Sequence, residues 1–172
     1  IGVALLEGAA ARNLTESQYG LASTKFRWNV SGTYMQVVPR VISTDQDGKS
    51  NVCEFLKDYY NKSGDMHSAV FMKGYQWPFD AAKAIGGSSL IDILVYIETV
   101  IKGRRVFLDY MENSDGFELE GLSSEACEYL KNSGAYQDSP IDRLMHMNPG
   151  AYELYKDHGI DISQEYLEVA VC

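Results

Sequence analysis

The chain has 172 residues, a net charge of −9, and 45% hydrophobic against 23% charged residues. That is ordinary globular composition, long enough to bury a sizeable core. The acidic balance, with no basic run longer than Arg104-Arg105, excludes the clustered positive field that nucleic acid or an anionic membrane requires, and no apolar run approaches the ~20 residues that span a bilayer.

Val3 to Asn13, rich in Ala and Leu, predicts a helix. Lys25-Phe26-Arg27-Trp28-Asn29 alternates polar and apolar residues as an exposed strand does. Ser31-Gly32 is a turn, and Thr33 to Val38 predicts a strand ended by Pro39. Val41 to Thr44 continues as strand into a turn at Asp45-Gln46-Asp47-Gly48. A calcium loop there would need a glutamate at its last position, where Leu56 stands, so a turn is the better reading. Cys53 to Tyr60 predicts a short helix with Phe55, Leu56 and Tyr59 inward. Asn61 to His67 reads as a loop and Ala69 to Lys73 as a strand. Gly74 to Asp80, which includes Trp77, is dense in aromatic rings that pack on the core or wall a pocket.

Gly86 to Tyr110 is the stretch around which the rest is organised. Ser89 followed by Asp92 reads as a capping box. Leu90, Ile93, Leu94, Ile97 and Val100 or Ile101 recur at helical spacing. Lys102 suits the C-terminal dipole, Gly103 closes the helix, and Val106 to Tyr110 is a strand. Apolar residues cover most of this helix, so it is expected to lie buried. Beyond an acidic loop from Asn113 to Glu120, Ser123 or Ser124 caps a helix from Glu125 to Asn132 that Gly134 ends. Pro140 opens a helix from Ile141 to Met147, Asn148-Pro149-Gly150 breaks it, and Ala151 to His158 is another. The last strand begins at Tyr166. Strands and helices mix without steady βαβ alternation, which predicts an α+β fold: a small mixed sheet with several helices.

Chemical motifs are sparse. The three cysteines are widely spaced, which argues against a disulfide framework or zinc site and for a reducing compartment, the cytoplasm. His67, His146 and His158 have no metal-ligand spacing. There is no GxSxG, P-loop or GxGxxG, so a hydrolase reading has no nucleophile behind it. Gly86-Gly87-Ser88-Ser89 precedes a helix whose N-terminus could hold an anion, but no strand leads into it. Arg40 is a candidate carboxylate clamp, with an exposed charge as its plain alternative. Asn13-Leu14-Thr15, Asn29-Val30-Ser31 and Asn61-Lys62-Ser63 match the glycosylation triplet, a pattern that arises by chance. The sequence begins at Ile1 and stops in an apolar strand at Cys172, so the expectation is a piece of a longer protein.

The order of several short segments resembles the middle of the fumarate reductase/succinate dehydrogenase flavoprotein family, which includes L-aspartate oxidase. Gly2-Val3-Ala4-Leu5-Leu6-Glu7-Gly8-Ala9-Ala10-Ala11 is similar to the Ala-rich helix that follows the family's flavin loop. Gln36-Val37-Val38-Pro39 is similar to its Gln-Phe-His-Pro strand end. Ile91-Asp92, then Gly103-Arg104-Arg105-Val106-Phe107-Leu108-Asp109, resembles its capping-domain helix, Gly-Arg turn and Val-x-Leu-Asp strand. Gly159-Ile160-Asp161 and Glu168-Val169 resemble the segments that close that domain.

The resemblance implies residues 1–44 at the edge of an FAD-binding domain and residues 45–172 in a capping domain. FAD would be held mainly by the remainder of the flavin domain, as partner. In the intact protein a hydride would pass between flavin N5 and an unidentified small substrate, while this chain alone would be inactive and could self-associate through apolar surface. The family's substrate histidine falls at Val38 and its proton-donating arginine at Ile91, and neither hydrophobic side chain can do those jobs. Arg40 and Arg143 are candidate substitutes. Gln36 and Asp92 are further candidates to face flavin or substrate, with helix capping as the plain role of Asp92. The alternative function is a non-catalytic binding domain that keeps the cap fold.

Overall fold

The computed structural model describes residues 2–12, 19–76, 78–136 and 138–172. The triplet at Asn13 and the ring of Trp77 lie outside them. Among the described residues, four antiparallel strands form one sheet: β1 (Leu21–Ser23), β2 (Arg40–Thr44), β3 (Arg105–Asp109) and β4 (Leu167–Val171), in the order β1-β4-β3-β2. Seven α-helices accompany it: α1 (Gly2–Leu6), α2 (Thr33–Gln36), α3 (Ser63–Tyr75), α4 (Ser89–Tyr96), α5 (Ser124–Asn132), α6 (Pro140–Met147) and α7 (Pro149–Asp157). The fold is α+β, as predicted, but the sheet among the described residues is wholly antiparallel, not mixed. No helix among the described residues is long and apolar enough to cross a membrane.

Strand alternation divides the sheet into two faces. Val41, Val106, Leu108, Leu167 and Val169 join one core with Ile91, Leu94 and Val95 of α4, Val70 and Phe71 of α3, and Leu144 and Tyr155 of α6 and α7. Arg105, Phe107 and Glu168 take the other face, where they line an open groove of about 580 Å³. Buried tyrosines place their hydroxyls on partners. Tyr34 donates to the Ala151 carbonyl at 2.8 Å, Tyr110 to the Tyr34 carbonyl at 3.1 Å, and Tyr155 to Ser23 Oγ at 2.9 Å.

Several sequence expectations need correction, the first being the helix from Val3 to Asn13, which ends at Leu6. Thr33 to Val38 is not a strand: Thr33–Gln36 is helix α2, turned in by Gly32 at φ 58° and packed on α3 where Gly74 has no side chain. A Cβ at Gly74 would stand 2.6 Å from both Gln36 Cγ and the Gly32 carbonyl oxygen. Ala69 to Lys73 is not a strand, nor is the end of the Asn61–His67 stretch a loop, because both run through α3. That helix buries Met66, His67, Ala69, Val70, Phe71, Lys73 and Gly74, so no clean polar face remains to reveal its period. Lys25 to Asn29 bends and returns through a single bridge from Asn29 to Ala22 instead of forming a strand. Tyr59, expected to point inward, is 46% exposed in the 3₁₀ turn Phe55–Tyr59.

Gly64, in the first turn of α3, lies against the backbone of Gly121, and a Cβ there would run into the Gly121 carbonyl oxygen. Gly64→Ala is therefore expected to destabilise the fold by about 2 kcal/mol despite alanine's better helix propensity, because backbone must move on both sides. Urea denaturation checks this; a gain in stability would contradict the contact.

Candidate functional site

The stretch from Gly86 to Tyr110 folds as helix α4, a π-helical turn over Ile97–Ile101, Gly103 at φ 64° and strand β3. The capping box at its start does not form. Ser88, not Ser89, is the N-cap residue, and its side chain caps nothing. Ser89 Oγ instead accepts the Asp80 N–H at 2.9 Å. Asp92, freed from capping, turns inward and pairs through Oδ2 with Lys73 Nζ of α3.

Lys73 and Asp92 are 1% and 0% exposed. Burial raises the Asp92 pKa to about 6, and Lys73's charge only partly opposes that. Burial likewise lowers the Lys73 pKa against the pull of Asp92. Both groups thus move toward their neutral forms, as expected where desolvation outweighs attraction. The charge of Asp92 also adds to burial in raising the pKa values of Tyr19 and Tyr60. Asp92 Oδ1 and Ser88 Oγ are buried without a partner among the described residues. They stand four residues apart, on one side of α4.

Ser88 lines a groove of about 550 Å³ together with Gly86, Gly87, Tyr60, Met72 and Ser123. Tyr60 steadies this wall by donating to the Gly87 carbonyl at 2.9 Å. Asp65, Glu125 and Lys83 also border the groove, and Lys83 is tied to Gln76. The groove offers hydrogen-bond acceptors to a small ligand, while the Asp92 carboxyl is fully buried and does not line it.

The other sequence candidates lie elsewhere. Arg40, at the start of β2, holds Asp109 through Nε at 2.9 Å, with Glu112 at 3.3 Å and Glu54 at 3.9 Å from its guanidinium. It is a half-buried ion pair across the β2–β3 ladder, where Arg40 faces Asp109 in register. Gln36 is buried between α2 and α3, and its Oε1 accepts from Tyr129 at 3.2 Å. Arg143 of α6 is fully buried. Its Nε and Nη2 donate to the Val37 carbonyl at 3.0 and 2.8 Å, Nη2 to Asn113 Oδ1 at 2.8 Å, and Nη1 to the Asp138 carbonyl. The guanidinium also sits 4.5 Å over the Phe117 ring, and burial lowers its pKa to about 10.

Val38 and Ile91 are buried, at 1% and 0% exposure. Val38 adopts φ 52°, a left-handed backbone that a β-branched residue rarely takes, and it precedes a proline. The double hydrogen bond from Arg143 to the preceding carbonyl holds it there. Val38→Gly is expected to cost less stability than Val41→Gly by about 1–2 kcal/mol, since only at residue 38 does glycine also relieve strain. Equal losses in paired denaturant titrations would contradict a strained Val38.

Lys73 escaped sequence reasoning because its segment looks like a strand, and nothing local pairs it with Asp92. Ser88 had a faint signal in the Gly-Gly-Ser-Ser run. Among the described residues no cluster of three or more metal-ligating side chains occurs. Comparison with protein-family models, with curated proteins and with solved structures gives no match to this chain.

Proposed function

We propose that this chain is the substrate-side cap of an FAD-dependent oxidoreductase resembling the fumarate reductase/succinate dehydrogenase flavoproteins. The observation that carries the reading is the convergence of the segments behind the resemblance. Pro39 leads into β2, whose Arg40 faces Asp109 at the end of the Val-x-Leu-Asp strand. Leu108 of that strand faces Leu167, and β4 in turn touches the helix that begins near Ile91-Asp92. Pieces 36, 91, 103 and 168 residues into the chain thus meet around one sheet.

The residues present do not fit FAD as a whole. At the N-terminus of α4, the N–H groups of Leu90 and Ile91 bond the Gly87 and Ser88 carbonyls at 3.3 Å each, and the Asp92 carboxylate stands in the first turn. Neither feature suits a pyrophosphate. The chain's own contribution is closure over the reacting centre, exclusion of water and orientation of substrate by the groove at Ser88. Exposed Val3, Leu6, Ile85, Val100 and Ile101 supply apolar surface for docking a flavin domain or for self-association.

A second reading, a binding domain without redox chemistry, is favoured by the burial of Val38 and Ile91, which places hydrophobic packing at the two positions that matter most in the resemblance. FAD titration of the purified chain tests the division of labour. The expected result is no binding tighter than roughly millimolar, because the dinucleotide cradle lies elsewhere. Micromolar binding would overturn the assignment of this chain as a cap.

A further inference from the structure

We propose that a buried water molecule is held between His67 and Glu54, tying α3 to the segment after β2. Ser63 Oγ donates to the Gly116 carbonyl at 2.9 Å. Toward His67 Nδ1, 3.3 Å away, it can then only accept. The imidazole therefore carries its proton on Nδ1 and leaves Nε2 as a bare acceptor. Nε2 is buried and without a partner among the described residues. His67 lines a cavity of about 10 Å³ whose other polar walls are Glu54 and Ser114.

That volume reaches the ~10–15 Å³ that one water needs. Ser114 Oγ donates to Glu54 Oε2, so every polar group around the cavity has acceptor capacity to spare and the site calls for a donor. Water supplies two protons, one to Nε2 and one to the Glu54 carboxylate. A metal cation fits less well: among the described residues, His67 and Glu54 are the only strong ligands on the cavity wall, short of the three or more that would hold one. An anion is turned away by Glu54. Glu54 also holds Lys57 at 3.2 Å and borders Arg40 at 3.9 Å. Through the water, His67 is a positioning residue for the ion cluster at the head of β2.

The test is NMR on the purified chain at neutral pH. The expected ring-nitrogen shifts place the His67 proton on Nδ1, and a long-lived water gives cross-peaks to the His67 ring and the Val41 and Val70 methyl groups. His67→Phe removes the methyl cross-peaks. A proton on Nε2, a correct tautomer without water cross-peaks, or methyl cross-peaks that survive His67→Phe would each overturn the proposal. Should His67→Phe not fold, the tautomer and water signals of the unmutated chain decide it.

Discussion

Lys73→Met and Asp92→Val are each expected to destabilise the fold by about 3–5 kcal/mol, while the double variant returns to within about 1 kcal/mol of the parent. The reason is burial. Each single change leaves one charge at 1% or 0% exposure with its ion-pair partner gone. Removing both removes the desolvation cost together with the attraction. Urea titrations of the four proteins form a double-mutant cycle, and additive losses would show that the pair is not coupled.

The same carboxyl group predicts a pH effect with a definite sign. Asp92 rises from 3.8 to about 6 on folding. The folded state therefore holds the proton more tightly. Its contribution is fully present below the unfolded pKa and is lost as pH rises through about 6. His67 works the other way, because burial lowers it from 6.5 to about 4, so acid in that window favours unfolding. The two act in opposite directions in the parent. Asp92→Asn should therefore lose stability on acidification more steeply than the parent does, and parallel pH curves would contradict the raised Asp92 pKa.

Arg143→Met is expected to cost about 4 kcal/mol, and Arg143→Lys more than half of that. The guanidinium joins the Val37 and Asp138 carbonyls and the Asn113 amide, through three of its nitrogens. A lysine has neither the fork nor the flat face that stacks on Phe117. Loss of the fork also frees the Val37 carbonyl, so Val38 can leave its φ of 52°. Denaturation midpoints measure the cost. A lysine variant as stable as the parent would mean that charge alone, not geometry, is what position 143 supplies.

Arg143 illustrates what the sequence could and could not convey. The sequence offers it only as a candidate substitute for the family's missing site residues, but its partners are the Val37 and Asp138 carbonyls and Asn113, one of them more than a hundred residues away. Strand β2, β3 and β4 and helices α4 to α7 were legible because alternation, caps and proline placement are local signals. Ser123 caps α5 and Pro140 opens α6 as those signals indicate. Helices α2 and α3 were not legible. Their apolar residues face neighbours on several sides, and short β-branched runs such as Val37-Val38 favour strands until tertiary contacts decide otherwise. At the candidate site, Asp92 was visible but assigned to a cap, because Ser89 stands at capping spacing. Its true partner, 19 residues earlier on another helix, is set by packing alone.

Purifying the product of the reading frame that contains this chain, and recording its visible spectrum before and after dithionite, tests whether the chain is a flavin-enzyme cap. The expected result is a yellow protein with stoichiometric FAD that bleaches on reduction and recovers in air. A folded, colourless protein that takes up no FAD would contradict it and leave the binding-domain reading in its place.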